Sequence, residues 1–364
     1  MTLERLRTRT RITWAIASKD IGETLRNKNA LSLIVSVLFV VLLYRFLPQI
    51  RSAGEPPVLR IYDAGDSALT VMLENSSALE TRADYATDEQ MKRALTHDDL
   101  PQLGIVIPED FDRELGAGAA PEITGYVLHW VRDEDARELQ QLVEGEIAAL
   151  LGTAVPVHIS DARVYPEPDA GGVSVSAGMA TSYAILMVAM LIPPYLILEE
   201  KKNRTLDALL VSPATPRQVV AGKAIAGLLY AGLGCAIACA VNGSALVHWP
   251  LAIAAGLVGG LFAVGLGLLL GSLLESRQQL MLWAWIVLLP MILPMMLYLM
   301  EELIPRFLFR IFTWMPVTVM FSLIRTSFAG DIGLADWAPR LIVLFGYALA
   351  ILVAVAWVIR RQDR

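Results

Sequence analysis

Charge is missing from the longest stretches of this 364-residue chain. Ala170 to Leu198 holds no Asp, Glu, Lys or Arg, and Ala224 to Leu274 holds none either. A bilayer is crossed by about 20 predominantly apolar residues, and no amphipathic soluble fold needs runs of this length without a charge. Cysteine is nearly absent: Cys235 and Cys239, four apart inside an apolar run, are the only two. That excludes a disulfide framework, and it is too few ligands for a thiolate metal site, so both are read as packed thiols. The four histidines are scattered, with no HExxH motif and no Cys/His cluster, which argues against a zinc hydrolase. A phosphate-cradling loop is missing too. The only Gly-Lys pair is Gly222-Lys223; Ala224 follows it, and Arg217 stands where the first glycine of the loop is required. No cleavable signal peptide is expected, because Met1 to Lys28 is basic and polar without an early apolar core.

What is present is a membrane composition: 55% hydrophobic residues, 18% charged, and a mean hydropathy of +0.53. The formal net charge of −6 conceals a strong asymmetry. Seven Lys and Arg fall in the first 29 residues and five in Glu199–Lys223, whereas Pro48–Val173 carries nine basic and 24 acidic residues. Short basic segments read as cytoplasmic and the acidic block as extracytoplasmic. The expected fold is a polytopic α-helical membrane protein with six transmembrane helices and an inserted α/β extracytoplasmic domain. It is expected in the cell membrane, multi-pass, with both termini cytoplasmic.

In chain order, residues 1–29 read as a cytoplasmic interfacial helix, with Ile12, Trp14, Ile16, Ile21 and Leu25 apolar among Arg11, Lys19 and Arg26. The first membrane helix is expected at 30–47, with Arg45 snorkelling at its end. Residues 48–173 form the extracytoplasmic domain. Strands are expected at Val58–Tyr62, Arg82–Tyr85, Leu103–Ile107, Glu122–Trp130 and Val157–Val164. Helices are expected at Asp66–Glu74 capped by Asp66, at Asp88–Leu95 capped by Thr87, and at Asp133–Leu151. Strand and helix alternate, so the domain is α/β. Residues 174–364 hold five further membrane helices. Pro193 and Pro194 are expected to kink or end the second, and Pro290 and Pro294 to bend the fifth. Within the outer segment 301–340, Ile311–Ile324 is uncharged but too short to cross comfortably, and Pro316 interrupts it. It reads as re-entrant or interfacial.

The stretch around which the chain is organised is Glu199 to Lys223, EEKKNRTLDALLVSPATPRQVVAGK. It lies between two charge-free runs and is basic, so it faces the cytoplasm. Leu206, Leu209 and Leu210 fall on one face of a short helix that Pro213 stops. Such a helix suits either a soluble partner or the lipid surface.

This loop resembles that of the type-2 ABC transporter permeases, in the branch with a large extracytoplasmic domain between the first two membrane helices. The shared pattern is an acidic residue leaving the second helix, a basic pair, Arg-Thr-Leu, a Leu-rich turn, Ser-Pro, and a Lys opening the third helix. Ile107-Pro108-Glu109-Asp110-Phe111, Trp314-Met315-Pro316, Arg325, Gly330-Asp331, Lys19-Asp20 and Arg26-Asn27-Lys28 resemble other parts of the same family in the same order. Many members have a Gly before the Thr of the loop motif, where this chain has Asn203-Arg204. The resemblance implies the membrane half of an ATP-driven exporter paired with a separate ABC ATPase subunit, with a second permease copy or a related permease completing the pathway. It implies that the coupling loop 199–218 contacts the ATPase through Glu199, Arg204, Thr205, Leu206, Leu209, Leu210 and Pro213. This chain would not be catalytic by itself and would bind no cofactor, since ATP and Mg sit on the partner. No nucleic-acid partner is expected.

The spans offer Leu, Met, Phe, Val and Gly with isolated Ser, Asn and Tyr, so the expected cargo is apolar or amphiphilic and is moved outward. Met281, Met291, Met295, Met296 and Met300 suit either an adaptable lining or plain lipid contact. Gly259, Gly260, Gly265, Gly267 and Gly271 read as close-packing positions. The alternatives are an ABC-type sodium exporter permease, or a non-transporting receptor or anchor whose extracytoplasmic domain binds a ligand. An intramembrane enzyme is disfavoured, because Ser182, Asn242 and Ser244 have no carboxylate nearby in sequence.

Overall fold

The computed structural model describes residues 11–22, 28–51, 56–119, 121–202, 216–298, 300 and 304–362. The chain divides into two compact units. One comprises Met1–Tyr44, Ala177–Ser327 and Ile332–Arg364; the other comprises Arg45–Ser176 with Phe328–Asp331.

The second unit is α/β. Its strands are β1 (Val58–Asp63), β2 (Glu80–Arg82), β3 (Leu103–Ile107), β4 (Ile123–Val127) and β5 (Val157–Ile159), in the order β2-β1-β3-β4-β5. β1 runs parallel to β2 and β3, β4 is antiparallel to β3, and β5 is parallel to β4. Its helices are α3 (Ala68–Glu74), α4 (Asp88–Leu95), α5 (Phe111–Gly116) and α6 (Asp133–Leu151). The core joins Leu59, Ile61, Ile105 and Ile107 of the central strands to Leu69, Leu73, Met91, Phe111, Val143 and Ile147 of the helices. Gly104 lets α4 lie directly on β3, since a Cβ there would stand 2.3 Å from the Met91 sulfur.

Local chemistry explains most element boundaries here. Thr87 caps α4, its side chain accepting from the Gln90 N–H. Asp66 does not cap α3. Its φ of 49° places it in a left-handed turn, and the helix begins at Ala68. Asp63 supplies the acceptor instead, one oxygen taking the Ser67 N–H at 2.7 Å and the Ser67 hydroxyl at 2.9 Å. The second strand lies earlier than expected, at Glu80–Arg82, because its register against Val58–Arg60 begins at Glu80. The last strand is shorter, and Val164 joins the sheet only by an isolated bridge to Leu128.

The first unit is helical. Residues 11–22 form α1, and α2 spans Lys28–Arg51, of which the first unit takes the part up to Tyr44. The remaining helices are α7 (Gly172–Lys202), α8 (Pro216–Val241), α9 (Trp249–Leu273), α10 (Arg277–Leu297), α11 (Arg306–Thr313), α12 (Pro316–Thr326) and α13 (Leu334–Gln362). Among the described residues, α7, α8, α9, α10 and α13 each contain a stretch long and apolar enough to cross a membrane. A sixth is counted if α11 and α12, bent by 75° about Trp314-Met315, are taken as one span. The apolar part of α2, Leu31–Phe46, is shorter. Pro316 sits at the start of α12, where its missing N–H costs no hydrogen bond.

α9 is the packing hub, touching α8, α10, α12 and α13. Its glycines allow this. A Cβ on Gly260 would stand 2.5 Å from Ala231 of α8, and one on Gly265 2.5 Å from Ile351 of α13. On the side facing α7, Gly267 meets the Met190 carbonyl and Gly271 meets Pro194. Pro193 and Pro194 do not end α7, which continues to Lys202. Pro194 has no N–H to give the Met190 carbonyl four residues earlier, and the bare Cα of Gly267 lies against that carbonyl. Likewise α10 continues through Pro290 and Pro294. Of its methionines, Met295 is buried, whereas Met281 and Met296 are exposed.

Candidate functional site

The loop 199–218 is framed by the end of α7 and the start of α8. Glu199 lies in the last turns of α7. Arg204, Thr205, Leu206, Leu209, Leu210 and Pro213 lie outside the described residues, and the described anchors of the loop are the end of α7 and the start of α8. On the far side, α8 opens with Pro216 at its first position, and Gln218, Val219 and Val220 are already buried.

Sequence reading did not find what packs against the second anchor. Lys223, on the second turn of α8, is buried, and its ammonium lies 3.3 Å from the Asp20 carboxylate of α1, with side-chain exposures of 4% and 2%. The Tyr230 hydroxyl donates to the Asp20 backbone carbonyl at 3.2 Å. Gly222 makes room for the crossing, since a Cβ there would stand 2.8 Å from Ile16 and 3.0 Å from the Thr13 carbonyl oxygen. Ile16 and Ala17 are buried while Trp14 is exposed. Thus α1 does not present all its charge outward: one carboxylate turns inward to meet a buried lysine of α8. A signal was available. A Lys within VVAGKAIAGLLY needs a counter-charge, and Asp20 is one of few acids in the basic first segment.

A second polar constellation lies in the α/β unit. Arg60, buried on β1, donates from Nε to Gln102 Oε1 at 2.8 Å, and from its two terminal nitrogens to the Tyr85 hydroxyl and the Asp98 carboxylate. Gln102 donates in turn to Asp98 at 2.8 Å. This fixes the loop ahead of β3. The neighbouring Asp99 accepts from the Ser176 hydroxyl at 2.9 Å. Burial pushes the Asp99 carboxyl above the ordinary carboxylate range, aided by Asp98 and opposed by the Ser176 hydrogen bond and by Arg45. Arg45 also stands over the Trp130 ring at 5.8 Å. Gly172, at φ 57°, passes close to the same loop, a Cβ there falling 2.5 Å from the Asp98 carbonyl oxygen.

Among the described residues no group of three or more His, Cys, Asp or Glu is placed to hold a metal ion. The two cysteines are buried, their sulfurs 3.9 Å apart.

Comparison with known proteins places these features in a family. The chain matches the ABC-2 family transporter protein model over residues 30–357. It is 26% identical over 303 residues to "Probable multidrug ABC transporter permease YbhR" of Escherichia coli strain K12, covering 77% of this chain and 79% of that protein. The protein of the same name in Escherichia coli O157:H7 matches to the same extent. With a family match running from α2 into α13 and apolar helices throughout, the chain belongs to the ABC-2 family of transporter proteins and is a multi-pass ABC transporter permease.

Proposed function

We propose that this permease is the membrane subunit of an ATP-driven exporter that moves an apolar or amphiphilic substrate outward. Power comes from a separate ABC ATPase subunit that carries ATP and Mg and seats on the loop 199–218. Glu199, Arg204, Thr205, Leu206, Leu209, Leu210 and Pro213 form that contact. Two permease copies, or this chain with a related permease, make the pathway. The chain crosses the cell membrane six times, with α2 as the first crossing and the bent α11–α12 pair as an outer re-entrant element. Both termini are cytoplasmic, and the acidic α/β unit is extracytoplasmic.

The observation that carries the substrate class is the make-up of the spans. The runs Ala170–Leu198 and Ala224–Leu274 hold no charge, and the buried Lys223 beside them is matched by Asp20. A dedicated ion path places charged or strongly polar groups at membrane depth, because a bare ion there is several kcal/mol unfavourable. The name of the Escherichia coli relative, which speaks of multidrug transport, agrees with a lipophilic cargo. The test is ATP hydrolysis by the complex in lipid nanodiscs across a panel of amphiphiles and inorganic ions. Saturable stimulation by amphiphiles is expected. Stimulation by sodium alone, with matching sodium flux in vesicles, contradicts the substrate class and favours the ion-exporter alternative.

A further inference from the structure

The α/β unit contains a cavity that none of the foregoing uses. It has a volume of about 350 Å³, within the usual range for ligand sites of about 300–1,000 Å³. It lies between one face of α6 and the N-terminal ends of β1, β2 and β3. Residues 135, 138, 139 and 142 of α6 share that face by helical spacing, and all four line it. Pro57, Leu100, Leu139 and Leu142 make its wall apolar, and Leu142 is left 40% exposed, high for a leucine on the inner side of a helix.

The rim is acidic, and its charges are unequal. Glu80 is held by Arg82 at 2.7 Å, and Asp135 by Arg132 at 2.9 Å. Glu138 also lines the cavity and, among the described residues, enters no ion pair. The apolar wall therefore faces one uncompensated carboxylate, within a segment whose acidic residues far outnumber its basic ones. A neutral apolar molecule leaves that charge unused, and an anion is repelled. A flat apolar cation matches both halves of the site.

We infer that this cavity is a binding site for a small amphiphilic monocation, such as an aromatic quaternary ammonium. The apolar body packs on Leu139 and Leu142, and the positive charge lies toward Glu138. Binding here is independent of the transport reading, because it is measured without ATPase or flux.

The test is a fluorescence titration of ethidium on the full-length permease in zwitterionic nanodiscs, nuclease-treated, with protein-free nanodiscs subtracted. The neutral comparator is 6-phenylphenanthridine. Wild type is expected to show a saturable ethidium component. Glu138→Gln is expected to weaken it by about three- to tenfold and to leave the neutral compound unchanged. Leu142→Ser is expected to weaken both. Glu134→Gln, exposed on the same helix outside the cavity, is expected to behave as wild type. Three outcomes overturn the inference: no saturable component above protein-free nanodiscs, Glu138→Gln indistinguishable from wild type, or equal loss of ethidium and the neutral compound in Glu138→Gln. Glu138 and Leu142 are both exposed, so neither substitution threatens folding.

Discussion

The Lys223 ammonium and the Asp20 carboxylate, 3.3 Å apart and far apart in sequence, fasten the N-terminal helix to the opening turns of α8. Removing one member of a buried ion pair leaves the other charged and unmatched, at a cost of about 3–5 kcal/mol, whereas replacing both by apolar groups is often close to neutral. Asp20→Ala is therefore expected to lower the thermal midpoint of the detergent-purified protein clearly. The double variant Asp20→Ala, Lys223→Met is expected to recover most of the loss. A double variant as unstable as Asp20→Ala alone contradicts a direct pairing.

Gly267 and Gly232 make a second comparison. A Cβ on Gly267 would lie 2.5 Å from the Met190 carbonyl oxygen, which is backbone and cannot swing away. At Gly232 the nearest atom is a Leu257 methyl at 3.8 Å. Gly267→Ala is expected to separate α7 from α9, with loss of about 1–3 kcal/mol. Gly232→Ala is expected to be tolerated. Fluorescence-detected size-exclusion chromatography after a heat step reads both, and equal behaviour contradicts the close α7–α9 contact.

Asp99 supplies a pH prediction. Its carboxyl is raised, chiefly by burial, so the folded state holds that proton more tightly than the unfolded state does. This group's contribution to stability is best below the ordinary carboxylate pKa of about 4 and declines as pH rises through the raised value. Asp99→Asn keeps an acceptor for the Ser176 hydroxyl without the charge. It is expected to leave the midpoint unchanged or higher at pH 7 and to flatten the decline as pH rises above about 4. A lower midpoint at pH 7 contradicts this.

The fold was legible where the physics is local. Charge-free runs mark the spans without knowledge of neighbours, and the Thr87 cap and the Leu103–Ile107 strand follow from a few adjacent residues. What was missed depends on partners distant in sequence. Asp66 looked like a cap, but the helix opens on Ser67, whose N–H and hydroxyl are held by Asp63. Pro193 and Pro194 left open whether α7 ends there, but a continuous helix keeps its other hydrogen bonds satisfied in an apolar surrounding, and α7 runs on to Lys202. The Asp20–Lys223 pair joins the first segment to α8, and no spacing rule connects them. Of the expected coupling residues only Glu199 lies in a described helix; the others lie outside the described residues.

Orientation is tested by labelling. Glu89 is exposed on α4 and in no ion pair among the described residues, and the native cysteines are buried. Glu89→Cys is expected to react with an impermeant maleimide in intact cells. Reaction only after lysis contradicts the extracytoplasmic placement.

The central claim is that a separate ATPase drives this permease through the loop 199–218. Truncating an apolar anchor at an interface costs about 1–3 kcal/mol, and placing a carboxylate there costs more. The most direct measurement is co-purification of the ATPase subunit with wild type and with Leu209→Asp, with ATP hydrolysis assayed on each in nanodiscs. Wild type is expected to retain the ATPase and hydrolyse ATP under substrate stimulation, and Leu209→Asp to insert normally but lose the subunit or its stimulation. Wild-type association and stimulated hydrolysis in Leu209→Asp would contradict the account and assign that helix to the lipid surface.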